Sequence, residues 1–207
     1  MSLAAALTPL VKAAQNTERV RWALNVGAYT LAGTVSSALV GVSLGAIGGA
    51  LPVSFAGSLG MGAAVAVALL AMAREIGVGA IPLPQVRRAT PGTWAQNLSG
   101  PLVPVLWGFD LGLFFTTFFT FAGPWLLVVL AVAAGNPAFG ALLFVAYWCG
   151  RAVSVWLAPL LLPDASATPQ LMNAFVLQRR QFQLIHVVAL AFMTTVLSVM
   201  FISSTPL

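Results

Sequence analysis

What most constrains this chain is where its nine cations fall between its apolar runs. Five segments are long and apolar enough to cross a bilayer, roughly Arg21–Leu51, Pro52–Met72, Gly100–Ala134, Pro137–Leu162 and Phe182–Ile202. With gaps assigned alternately to the two sides, one side holds Lys12, Arg19 and Arg21, then Arg74, Arg87 and Arg88, then Arg179 and Arg180. The other side holds none: the Gly48–Pro52 turn, the Gly135–Pro137 turn and the tail after Phe201 lack both residue types. Cytoplasmic loops carry the Lys/Arg excess, so the expected N-terminus is cytoplasmic and the expected C-terminus is outside. The fold class this predicts is an all-α integral membrane protein, a bundle of five transmembrane helices spanning 21–207. Residues 1–20 are expected to lie at the cytoplasmic interface.

Composition points the same way. The chain is 60% apolar and 6% charged, against about 25% charged in soluble proteins. The net charge of +5 is expected to hold helix ends to anionic lipid at about 1 kcal/mol per cation, so nucleic acid is not an expected partner. Lys12, Glu18 and Arg19 make the first stretch too polar for a cleavable signal peptide. A single cysteine and a single histidine exclude an intrachain disulfide, a cysteine cage and a multi-histidine metal site.

The third segment is too long for one straight crossing. About 35 residues of helix would run about 52 Å against a hydrocarbon core of about 30 Å. Two crossings would put Arg179 and Arg180 outside. One crossing broken at Gly123-Pro124 satisfies both constraints, because proline removes a backbone donor and clashes with the preceding turn. Thr116, Thr117 and Thr120 stand just before the break, able to bond carbonyls that it releases. Such a break is either a plain proline kink or one side of a substrate or ion site, as in transporters with discontinuous helices.

Two further signals lie inside the spans. Gly33, Ser37, Gly41, Gly45 and Gly49 recur every four residues, a stripe of small residues that lets another helix approach closely, whether from this chain or from another subunit. Asp110 and Arg151 fall at about the same depth, roughly 15 Å from the cytoplasmic surface of adjacent antiparallel spans. A charge at such depth calls for a partner, so the two are expected to pair or to share a polar cavity, either fixing helix register or relaying a proton or anion. His186 is expected near the cytoplasmic headgroups, interfacial or hydrogen-bonded within the bundle; an axial haem or chlorin ligand is the alternative, and no other cofactor is expected. Cys149 is expected to be a small packing residue, Arg74-Glu75 an interfacial end-of-helix charge pair, and Trp22, Trp94, Trp107 and Trp156 an aromatic belt at the inner headgroups. The Pro-rich loop Gly77–Gly100 is the largest cytoplasmic segment and is long enough to touch a partner.

Gly112–Ala134 (GLFFTTFFTFAGPWLLVVLAVAA) resembles the fourth span of the CcdA/DsbD family of thiol–disulfide transporters, which has a Thr-Pro-Cys-x-Gly-Pro core. Gly140–Trp148 is similar to that family's next span, and Tyr29–Leu51 to its second, which also ends in a glycine-rich turn. The resemblance implies a scaffold in a prokaryotic-type cytoplasmic (inner) membrane related to cytochrome c biogenesis proteins. It also marks departures. The family has six spans with a cysteine in the first and fourth, whereas the resemblance here starts at the second span, so the first is expected to be absent, and Phe121 stands at the fourth-span cysteine, with Thr120 before it in place of proline. Dithiol exchange needs an attacking and a resolving thiol, so Cys149 alone cannot carry the family's electron transfer, and no residue inherits a catalytic role. Three roles follow as expectations: a non-catalytic accessory or assembly subunit partnered by lipid and other membrane subunits; a transporter of a small solute or ion using the broken helix, Asp110 and Arg151; or, last, a redox or cofactor-bearing protein using His186 or a partner's thiols.

Overall fold

The structure is a computed structural model that describes residues 19–52, 59–78, 88, 93–98, 100–116, 121–161 and 178–204. All regular structure among them is helical: α1 Arg19–Ala50, α2 Gly60–Glu75, α3 Trp94–Asn97, α4 Leu102–Gly112, α5 Pro124–Ala134, α6 Pro137–Leu161 and α7 Arg179–Ser204. Three stretches, Val20–Ala50, Pro137–Leu157 and Arg180–Ser203, are long and apolar enough to cross a membrane. Large apolar side chains such as Leu31, Leu142, Ile185, Val188 and Phe192 stand exposed on them, which lipid tolerates and water does not. This is a helical membrane protein.

The chain divides into two compact units. The first comprises 1–37, 86–118 and 145–178. Its core joins Val26 and Tyr29 of α1, Trp107 and Leu111 of α4, and Trp148 and Val155 of α6, with Trp22, Trp94 and Val103 packed against it. Here α1 is tied to α6 through Thr30: the Trp148 indole N–H donates to the Thr30 carbonyl at 2.9 Å and the Trp156 N–H to its hydroxyl at 3.0 Å. Trp107 is buried in this core. It packs inside this unit in one cluster with Val26 and Tyr29.

The second unit comprises 38–85, 119–144 and 179–207. In it α2 packs on α7 and on α5. The α2 face is Ala64, Ala68 and Ala71, spaced four and three apart, and it meets Leu126 of α5 and Leu190 and Leu197 of α7. Small side chains on one helix let larger ones fill the gap, which is how helices gain packing energy where lipid removes the hydrophobic drive.

The small-residue stripe of α1 is used within the chain. In the first unit Gly33 lies under the Trp148 ring, and the Ser37 hydroxyl donates to the Gly112 carbonyl at 3.0 Å. In the second, Gly41 lies on the backbone of Gly140, Gly45 on that of Asn136 and Pro137, and Gly49 on the Gly135 carbonyl. A Cβ at Gly41 would collide with main chain, which cannot rotate away as a side chain can.

Candidate functional site

The long third segment is resolved into two eleven-residue helices, α4 and α5. Gly123 precedes Pro124 as the N-cap of α5, so a helix does begin at that dipeptide. The interruption is wider than a kink, however, because α4 already ends at Gly112. Two features stop it there. Gly112 lies against Ser36 and the Gly33 backbone of α1, and Phe114 takes a left-handed φ of 65°, which no helix continues through.

Helix ends leave backbone groups unsatisfied, carbonyls at the C-terminus and N–H groups at the N-terminus. At the end of α4 two hydroxyls donate: Ser37 to the Gly112 carbonyl and Thr116 to the Asp110 carbonyl. The Thr116 bond thus goes to a carbonyl at the end of α4 and not to one freed at Gly123-Pro124, while Thr117 and Thr120 lie outside the described residues. The Asp110 side chain is buried at 8% exposure and lies 3.8 Å from Arg88, which is 47% exposed. Among the described residues its buried Oδ2 has no hydrogen-bond partner, nor do the buried indole N–H groups of Trp22 and Trp107 in the same unit. A carboxylate near a helix C-terminus faces the negative end of the macrodipole, and Arg88 offsets that. Arg151 lies beside Tyr147, its guanidinium carbon 5.8 Å from the ring centroid. Cys149 is exposed rather than packed, because α6 turns its neighbour Trp148 inward.

At the start of α5 the partners are ionisable. The Ala122 N–H donates to Glu75 Oε1 at 2.7 Å, and the Gly123 N–H donates to His186 Nε2 at 3.2 Å. Glu75 is the last residue of α2 and is only 6% exposed. Its position is set by the residues after it. Gly77 adopts φ 84°, the Gly77 N–H bonds the Arg74 carbonyl at 3.1 Å, and the Val78 N–H bonds the Ala73 carbonyl at 2.8 Å. This glycine-closed C-terminus ends α2 just where its final side chain reaches the break. The Gln183 side chain of α7 donates to the Glu75 carbonyl, and Arg74 lies 3.8 Å from the Glu75 carboxylate. The expected Arg74–Glu75 pair is therefore present, but the carboxylate is turned inward as a helix cap. Phe121 stacks on the His186 ring, with centroids 4.8 Å apart and planes at 30°. Gly123 has no side chain because a Cβ there would enter that ring.

This geometry does not suit His186 as a haem or chlorin ligand. Its Nε2 lone pair is engaged by the Gly123 N–H and one face of the ring is covered by Phe121. What the arrangement can do is hold a helix N-terminus with two groups that each bind a proton. The role of Glu75 was hidden in the sequence, since Arg-Glu at a helix end reads as an interfacial pair and the N–H it caps lies 47 residues away. The one available signal was Gly77, which fixes where the helix stops.

No family model and no solved structure matches the chain. It is similar to the methylamine utilization protein MauF of Paracoccus versutus, 30% identical over 135 residues, which make up 65% of this chain and 49% of that protein. The chain thus aligns with about half the length of this curated relative.

Proposed function

We propose that this chain is a non-catalytic accessory or assembly subunit of a membrane complex, serving methylamine or related amine utilisation. The observation that carries the reading is what occupies the helix break. Where the CcdA/DsbD resemblance expects a redox cysteine there is Phe121, stacked on His186, and the free N–H groups beside it are already capped by Glu75 and His186. A break satisfied by its own chain needs no bound anion and offers no thiol. The similarity to MauF supplies the amine context. In this reading the chain crosses an inner membrane five times on a CcdA/DsbD-like scaffold, N-terminus cytoplasmic and C-terminus outside, with α4 and α5 sharing one crossing.

A second reading is a transporter of a small solute or ion, favoured by the buried Oδ2 of Asp110, which has no partner among the described residues of the unit that also holds Arg151. Mass spectrometry of native complexes separates the two, following the 21.5 kDa chain from membranes of methylamine-grown cells in mild detergent. Stoichiometric partners, together with a growth defect on methylamine when the gene is deleted, support the accessory role. Migration as a monomer or homo-oligomer overturns it and favours transport, with Asp110→Asn then abolishing uptake without lowering protein abundance.

A further inference from the structure

We propose that Glu75 and His186 form a proton-binding latch: the helix break is held closed while His186 is neutral and opens when the imidazole takes up a proton. The latch lies within the second unit and goes beyond the accessory role, since it holds whatever complex the chain serves.

Hydrogen-bond direction fixes the protonation state of the closed form. A backbone N–H can only donate. His186 therefore meets the Gly123 N–H with a bare Nε2 lone pair, which requires the neutral imidazole carrying its proton on Nδ1. Protonating Nε2 would aim one N–H at another and remove the bond. It would also place a full positive charge at the N-terminus of α5, where the peptide dipoles already sum to a partial positive charge. The Ala122 N–H behaves differently, because a carboxyl oxygen of Glu75 accepts in either protonation state, more strongly when ionised. One bond of the pair is thus conditional on protonation and the other is graded by it.

Among the described residues, three helices set the surroundings of the imidazole, and two of them carry charges. From α2 there are Glu75 and Arg74, the latter 3.8 Å from the Glu75 carboxylate. From α5 there is no ionisable side chain, since Pro124–Ala134 is wholly apolar. From α7 the groups are His186 itself and the neutral Gln183, which donates to the Glu75 carbonyl, with Arg179 and Arg180 one to two turns earlier on that helix. Phe121, stacked on the imidazole, moves with it and carries the opening into residues 121–123. Gly123 is the hinge that can follow, being free of a Cβ that the ring would block.

The chain has one histidine, so the test is free of overlap. The full chain, labelled isotopically at histidine nitrogen and reconstituted in lipid nanodiscs, is titrated by NMR between about pH 8 and pH 5, the range in which histidine changes charge. Backbone hydrogen exchange at Ala122 and Gly123 is followed in parallel and corrected for intrinsic rates. The expected result is a single Nδ1–H tautomer at the alkaline end that converts to imidazolium on acidification. Corrected exchange at Gly123 should rise about tenfold, as expected for losing one hydrogen bond worth about 1.4 kcal/mol. An Nε2–H tautomer at the alkaline end, an imidazole that stays neutral throughout, or protonation without faster exchange at Gly123 each overturns the latch. His186→Gln keeps an acceptor but cannot titrate, so its Gly123 protection should no longer depend on pH; a pH dependence equal to that of the unaltered chain overturns the proposal too. The unaltered chain decides the matter if that variant does not fold.

Discussion

The two ends of the interrupted segment solve opposite problems with opposite chemistry. At Gly112, in the first unit, exposed carbonyls are met by the hydroxyls of Ser37 and Thr116. At Ala122–Gly123, in the second, exposed N–H groups are met by a carboxylate and an imidazole. Carbonyls need only a proton donor, and a hydroxyl donates at any physiological pH. N–H groups need a lone pair, and of the two side chains that supply it here the imidazole loses that lone pair when it takes up a proton. Burying a break in lipid therefore leaves one end indifferent to protons and makes the other answerable to them.

The contrast between the ends is most exposed to failure at their closest backbone approaches. Gly108 faces the Tyr29 main chain, whereas Gly123 faces a side chain. Gly108→Ala should destabilise the detergent-solubilised protein by about 3 kcal/mol in a denaturant titration, because neither backbone can yield. Gly123→Ala should cost less, and equal losses would mean that both ends are equally rigid. Next, Glu75→Leu leaves the Ala122 N–H bare and should cost about 2 kcal/mol. Glu75→Gln retains an oxygen acceptor and should recover about half of that; if the two variants melt together, the capping bond is not what matters. Ser37→Ala, at the other end, should cost about 1 kcal/mol and show the same loss at pH 5 and pH 8. A pH-dependent loss there would erase the distinction between the ends. Arg88→Ala should cost about 0.5 kcal/mol, because half-exposed ion pairs are screened by solvent.

The apolar runs made the helices legible, since helices are what can bury backbone polarity in lipid. Pro124 announced the start of α5, because a ring without a donor suits a first helical turn. The end of α4 was not announced. Leu113–Phe115 contains no breaker, and the turn depends on α1 pressing against Gly112 from far away in sequence. The same holds for Glu75 and His186, whose meaning comes from N–H groups 47 and 63 residues distant. Asp110 and Arg151 were conspicuous as charges among apolar neighbours; Tyr147 beside Arg151 follows from their four-residue spacing on α6, but no local pattern indicates Arg88 beside Asp110. The sequence marks where polarity must be satisfied more readily than by whom.

The contact of Gly41 on Gly140 also has a timetable. Its two partners are made about a hundred residues apart, which at about 5–20 residues per second separates their emergence from the ribosome by roughly 5–20 s. Throughout that interval the Gly41–Gly45 part of the α1 stripe lacks the partner it has in the folded chain, open to any other helix with small residues of its own. Prompt delivery of α6 is then as much a condition of correct folding as the glycines themselves. If translation is made to pause between the two, α1 should accumulate in mismatched pairs.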